Sequence, residues 1–273
     1  MPPDLSGGIL FWSKRRILPF LNSIMTTLLH IEGTGAIQLK IAPLGSTLTF
    51  DRPLSISCYD GRGSVGKYFY VFPYSQSYRE SVVTAINELT QTSDHSLELI
   101  TETLMPLLQL LESGQYQLSF EPNFKNPPGG TDWGLAGDIS VKSGYYDGAG
   151  EYETFVFTEP LDAIDPERVK YYEDKISQGA RPFAIVYHSE IVQSYVSASG
   201  RDYIATHESS PFILDGHHKL IAYKKSKQLP PLVRIQKINN ENADLNFTWA
   251  DIEKVEHLLD PVHLNHIKSN LKR

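Results

Sequence analysis

Five consecutive residues carry the densest chemistry in this sequence: Asp215-Gly216-His217-His218-Lys219. A carboxylate, two imidazoles and an ammonium supply a base or metal-binding oxygen, proton carriers near neutral pH, and a fixed positive charge. Ahead of them Phe212-Ile213-Leu214 reads as a buried strand, and behind them Leu220-Ile221-Ala222-Tyr223 continues as an amphipathic segment. This order predicts a strand, a tight turn and a helix start, with the polar side chains gathered at the turn. A helix N-terminus presents unpaired N–H groups and the positive end of the macrodipole, so the turn suits a phosphate or a carboxylate.

Each residue has more than one use. Gly216 lets the backbone turn and approach a ligand closely. Asp215 can hold Mg²⁺ through an oxygen, act as a base, or cap the helix. His217 and His218 are candidate catalytic acids or bases, or hydrogen-bond donors to a phosphate. As helix neighbours they point about 100° apart, which disfavours one metal held by both, so no metal-ligating set is assigned. Lys219 is the candidate phosphate contact, its alternative being a solvated lysine. Arg181, at the start of an earlier strand, is a second candidate for the same anion. Glu173 and Asp174 read as surface charges, and no role follows for His188 or His207.

The flanking elements must hold the turn in place. Asp165-Pro166 is a cap followed by proline at the first helical position, and Val169, Tyr172 and Ile176 then form a stripe that Gly179 closes. Residues 182–187 read as a buried strand, 188–207 as a long insertion, and 232–235 as another strand. One or two short helices are expected at the end, over 249–259 and 262–271. In the N-terminal half, alternation marks strands at 37–41, around Cys58, at 68–72, 115–121 and 152–157. Helical spacing marks 79–89, with Val82, Val83, Ile86 and Leu89 inward, and 96–111, which Pro106 should kink or shorten. Glycine- or proline-rich turns are expected at 60–63, 126–130 and 145–150; the first lacks the spacing of a P-loop.

The succession helix, Gly179-Ala180-Arg181-Pro182, strand, strand, Asp215-Gly216-His217-His218-Lys219, helix, strand resembles the ParB/sulfiredoxin-like superfamily. That family's phosphate signature is Gly-x-x-Arg-x-x-Ala. Here Gly216-His217-His218-Lys219-Leu220-Ile221-Ala222 is similar to it, with lysine for arginine, and the Asp-Gly-x-His form is closer to the kinase-like branch. The resemblance covers roughly residues 160–240. It implies an α+β fold and a nucleotide or phosphorylated small molecule as partner, with Mg²⁺ accompanying the nucleotide. Lysine cannot grip phosphate bidentately as arginine does. The family's second nucleotide motif, Glu-Asn-x-Gln-Arg, is missing, Glu241-Asn242-Ala243-Asp244 being a faint echo of it, and no helix-turn-helix follows.

The expected fold is therefore α+β: an extension at 1–25, a mixed α/β unit of unknown fold at 26–158, a ParB/sulfiredoxin-like domain at 160–240, and C-terminal helices at 241–273. Lys14-Arg15-Arg16 and the apolar run after it have the polarity of a signal peptide. Polar interruptions and the lack of a cleavage site argue instead for a non-native or upstream extension, with Met25 as the start and a cytoplasmic protein. A net charge of -7 and a pI near 5.7 argue against broad nucleic-acid binding. The lysines at 219, 224, 225 and 227 form a basic patch or a solvated helix face. A lone cysteine excludes an intrachain disulfide and a Cys-rich zinc site. Two functions compete: a phosphotransferase or nucleotide hydrolase built on the turn, and a non-catalytic binding module. A nuclease or DNA-binding role is disfavoured.

Overall fold

The computed structural model describes residues 24–42, 45–59, 65–86, 96–124, 133–137, 140–144, 153–196, 202–208, 210–238 and 246–271. Residues 1–23, the expected turns at 60–63, 126–130 and 145–150, and the acidic segment 241–244 lie outside them.

Along the chain come β1 (Met25–Thr34), β2 (Gln38–Ala42), β3 (Gly45–Thr49), β4 (Pro53–Tyr59) and β5 (Val65–Val71), then helices α1 (Gln76–Ile86) and α2 (Leu97–Leu108). Strands β6 (Glu112–Glu121), β7 (Gly134–Ala136), β8 (Ser140–Gly144) and β9 (Thr154–Val156) follow, and then α3 (Pro166–Ser177). The C-terminal part holds β10 (Ala184–Val196), β11 (Asp202–Glu208), β12 (Phe212–Asp215), α4 (His217–Lys225) and β13 (Leu232–Ile238), ending in α5 (Trp249–Glu253) and α6 (Pro261–Asn270).

Helices and strands alternate in mixed fashion, as expected for an α+β chain. One eight-stranded sheet runs β1-β6-β13-β10-β12-β9-β7, with β11 paired to β10, and a five-stranded sheet runs β2-β3-β4-β5-β8. The larger sheet is mixed: β10 runs parallel to β13 and antiparallel to β12, and β12 runs parallel to β9. Strands from both sides of residues 159–165 are hydrogen-bonded neighbours, so the boundary expected there does not divide the sheet.

Period-two alternation sorts its side chains into two cores. Ile185, Tyr187, Phe212, Leu214, Val233 and Ile235 join the core that includes Tyr78, Val82 and Ile86 of α1 and Leu104, Leu107 and Leu108 of α2. The alternate residues Ala184, Val186, Ile213 and Leu232 pack with Val169 and Ile176 of α3 and Leu220 and Tyr223 of α4. The sheet's central strands are thus buried on both faces. Cys58, Ile56 and Tyr70 of the smaller sheet pack with Ile252, Val255 and Ile267 of the C-terminal helices. Burial pushes the Cys58 thiol up to about 12, as suits an inert apolar filler.

Several expectations are corrected. The insertion expected at 188–207 is built of strand: β10 continues to Val196 and returns as β11, with registers from Glu190↔Glu208 to Val196↔Asp202. Its β-branched and aromatic content supports this pairing. Helix α1 starts earlier than expected, with Ser75 Oγ accepting from Tyr78 N at 3.4 Å. Val83 is exposed, and Tyr78 takes the inward place beside Val82 and Ile86. Helix α2 is capped by Ser96 and ends at Leu108, soon after Pro106. From Met25 onward the chain forms an edge strand, β1, paired with β6. Among the described residues no helix is long and apolar enough to cross a membrane.

Candidate functional site

Gly216 makes the turn possible. Its φ of +106° lies in the left-handed region, and a Cβ there would come within 2.6 Å of Ala184 Cβ and 2.9 Å of Ala184 Cα. Strand β12 therefore ends hard against β10, and α4 begins at once with His217. The expected strand, turn and helix are all present. Asp215, His217, His218 and Lys219 sit together around the turn, every one of them buried.

The charges are paired internally. Lys219 Nζ donates to Asp215 Oδ2 at 2.6 Å, one helical turn back. From α1, Arg79 places NH1 3.7 Å from Asp215 Oδ1 and Nε 3.2 Å from Glu159 Oε1. Burial alone would raise the Asp215 carboxyl, but Lys219 and then Arg79 outweigh it and leave it below its ordinary value. Glu159 behaves oppositely: burial holds it above the usual carboxylate range, and Arg79 offsets this only in part.

Both histidines are neutral acceptors. The Thr158 backbone N–H donates to His217 Nε2 at 3.1 Å, which leaves the proton on Nδ1, 3.9 Å from Glu159 Oε2. The Asp165 backbone N–H donates to His218 Nε2 at 3.1 Å. Burial, reinforced by Arg79, pushes His217 down to about 3. Burial, then Arg168 and Arg79, push His218 down to about 4.

His218 also marks where two helix starts meet. Asp165 caps α3 by accepting from Glu167 N at 2.8 Å, and its own N–H reaches across to the first turn of α4. Two positive helix ends thus converge beside the turn, and Arg168 in the first turn of α3 is exposed at the rim. The electrostatic reach of Arg168 extends to both His218 and Glu159.

Arg181 is engaged elsewhere. Its NH2 donates to the carbonyls of Pro122 and Leu229 and to Asn123 Oδ1, at 3.1, 2.9 and 2.7 Å, and its guanidinium lies over the Tyr223 ring. It clamps loops rather than joining the turn. The four lysines do not gather into a basic patch: Lys219 is buried against Asp215, Lys224 bonds the Trp133 carbonyl, Lys225 pairs with Glu173 at 3.1 Å, and Lys227 is exposed. Conversely, Arg79, Thr158, Glu159 and Arg168 belong to the cluster although their sequence context did not single them out. Nothing in residue spacing connects position 79 to position 215.

Comparison of the chain with protein-family models, curated proteins and solved structures returns no match.

Proposed function

We propose that the turn binds the phosphate of a small molecule, of the nucleotide class implied by the resemblance to ParB/sulfiredoxin-like proteins. One observation carries this reading: two helix starts and the cations Arg79, Arg168 and Lys219 converge on a turn whose histidines are both held neutral. Preorganised N–H groups and cations in a water-poor site are what an anion requires. Gly216 admits the close approach, Arg168 meets the ligand at the rim, and Lys219 exchanges its Asp215 partner for phosphate.

Catalysis is the more demanding extension. The lone pair of His217 is taken by the Thr158 N–H, and the two oxygens of Asp215 face Lys219 and Arg79. Such a donor set does not fit a resident Mg²⁺, so we propose that any Mg²⁺ enters on the nucleotide's own phosphates. The alternative is a non-catalytic binding module, favoured by the 2.6 Å Lys219–Asp215 pair, which lets the cluster satisfy itself without a ligand.

Thermal shift separates the readings. ATP, ADP, CTP and GTP are screened with and without Mg²⁺ on wild type, Lys219→Ala and the surface variant Arg168→Ala. A ligand at one hundred times its Kd adds about 2.7 kcal/mol of stability. A shift in wild type that both variants lose supports the reading, and turnover of the bound nucleotide extends it to an enzyme. No shift with any nucleotide sinks nucleotide binding. A shift unchanged in both variants moves the ligand elsewhere.

A further inference from the structure

Two polar atoms in the cluster have no hydrogen-bond partner: Glu159 Oε1 and the Tyr78 hydroxyl. Their side chains are among the most deeply buried polar groups in the chain, at 3% and 1% exposed. Tyr78 lies against Thr158 and is electrostatically coupled to it, while the Thr158 hydroxyl donates to the Ile213 carbonyl at 2.7 Å. Glu159 Oε1 is 3.2 Å from Arg79 Nε, an ion pair that makes no hydrogen bond. Buried groups of this kind are nearly always satisfied, so the carboxylate oxygen Glu159 Oε1 asks for an absent partner. Both atoms sit within the positive cluster, one able to donate or accept, the other a carboxylate oxygen.

A carboxylate among cations imposes a chemical condition on any anion that enters. An oxyanion oxygen without a proton would be repelled by Glu159, and like charges brought together in such a site cost several kcal/mol. An oxygen that carries a proton donates it to Glu159 as a hydrogen bond, while the remaining oxygens accept from Tyr78, Arg79 and Lys219. We infer that Glu159 is the specificity-determining residue of the site, admitting an oxyanion that bears a proton and rejecting one that bears none. The ligand class narrows to an anion that carries a proton near neutral pH: free phosphate, or a terminal phosphate monoester bound as its monoanion, whose second proton leaves at about pH 6. Sulfate, of similar size and shape but fully ionised, is excluded, and so is a phosphodiester.

This rests on the anion-binding reading, and one experiment keeps the two apart. Binding of inorganic phosphate and of inorganic sulfate is measured by calorimetry near neutral pH, at matched ionic strength, on wild type and Glu159→Gln. Wild type is expected to bind phosphate about ten-fold or more tightly than sulfate, the least that a repulsion of this kind implies. The glutamine amide can donate to either anion, so E159Q is expected to bind both alike. Equal binding by wild type overturns the role of Glu159 and leaves anion binding intact. Discrimination that survives in E159Q assigns it to another residue. Failure of wild type to bind either anion overturns the anion site itself, and this inference with it. The wild-type comparison stands whether or not the variant folds.

Discussion

The larger sheet carries two buried charge clusters that are built in opposite ways. On β13, Arg234 turns its fork to two carboxylates, with Nε donating to Glu121 Oε1 at 2.9 Å and NH2 to Glu153 Oε2 at 2.9 Å, while NH1 bonds Glu153 Oε1. Burial favours loss of its proton, and Glu153 and Glu121 more than reverse that. The contacts are short, directional and mutually matched. Around Gly216, among the described residues, the only ion pair that is also a hydrogen bond is Lys219 to Asp215. Arg79 stands 3.7 Å from Asp215, His217 stands 3.9 Å from Glu159, and Glu159 Oε1 is a buried carboxylate oxygen without a hydrogen bond, whereas beside Arg234 the atom so left is the neutral His188 Nδ1. The first cluster spends its charge on holding strands together. The second holds charge in reserve, and that reserve is the physical basis for reading it as a site.

The sharpest way to break this contrast is to remove one cation from each. Arg234→Met strands two buried carboxylates and should cost about 3–5 kcal/mol in chemical denaturation. Lys219→Met leaves Asp215 with Arg79 nearby and should cost less, about 1.5–3 kcal/mol, in keeping with a single charged hydrogen bond. Equal losses would mean that both clusters are structural.

Acid is the next largest effect. His217 is held at about 3 against an ordinary 6.5. Between these values the unfolded chain takes a proton that the folded chain refuses, so stability falls as pH drops from 6.5. At pH 4 this one group has removed about 3 kcal/mol. His218 acts in the same direction, as does His188 beside Arg234, and Asp215 adds to the loss below the ordinary carboxylate range. Glu159 opposes it, because the folded protein takes up that proton first. His217→Gln can still accept from Thr158 N–H and does not titrate. Its stability should therefore depend on pH by about 3 kcal/mol less than wild type between pH 6.5 and 4, and parallel denaturation curves would refute the buried neutral imidazole.

How much of this was legible in the sequence follows from how local each determinant is. The Asp215–Gly216 turn, the Asp165 cap before Pro166 and the stop at Gly179, with φ of +90°, are each set by neighbouring residues, and all are found. Arg79 and Glu159 reach the turn only because α1 packs on the sheet that β12 helps to build, and no local pattern encodes that meeting. The same holds for Lys219: helical spacing put it on the turn, but only the three-dimensional structure shows it buried against Asp215. That the insertion at 188–207 is strand is not legible locally, because β10 outruns its partners, pairing with β13 only as far as Glu190 and with β11 beyond it.

The two clusters also differ in their backbone demands. Arg234, Glu121 and their neighbours lie on extended strands that any residue can adopt, whereas the turn depends on one glycine. Gly216→Ala combines a left-handed φ with a Cβ 2.9 Å from a backbone atom, so neither rotation nor a flexible neighbour relieves it. The cost should be about 2 kcal/mol. It should come with loss of whatever anion binding the wild type shows, since the start of α4 must shift. A variant as stable as wild type would remove the geometric basis of the turn.

The smallest expected effect is the most discriminating. Glu153→Gln gives up charged hydrogen bonds to Arg234 and should cost about 2 kcal/mol. Glu159→Gln removes a buried carboxylate that makes no hydrogen bond through Oε1 and whose charged form burial already penalises. It should leave stability within about 1 kcal/mol of wild type, or raise it, because neutralising an unsatisfied buried charge relieves desolvation more than it loses in attraction to Arg79. A carboxylate that can be neutralised at so little cost in stability is not there to hold the fold. If denaturation instead shows Glu159→Gln to be as damaging as Glu153→Gln, the two clusters are of one kind, and the distinction drawn between them fails.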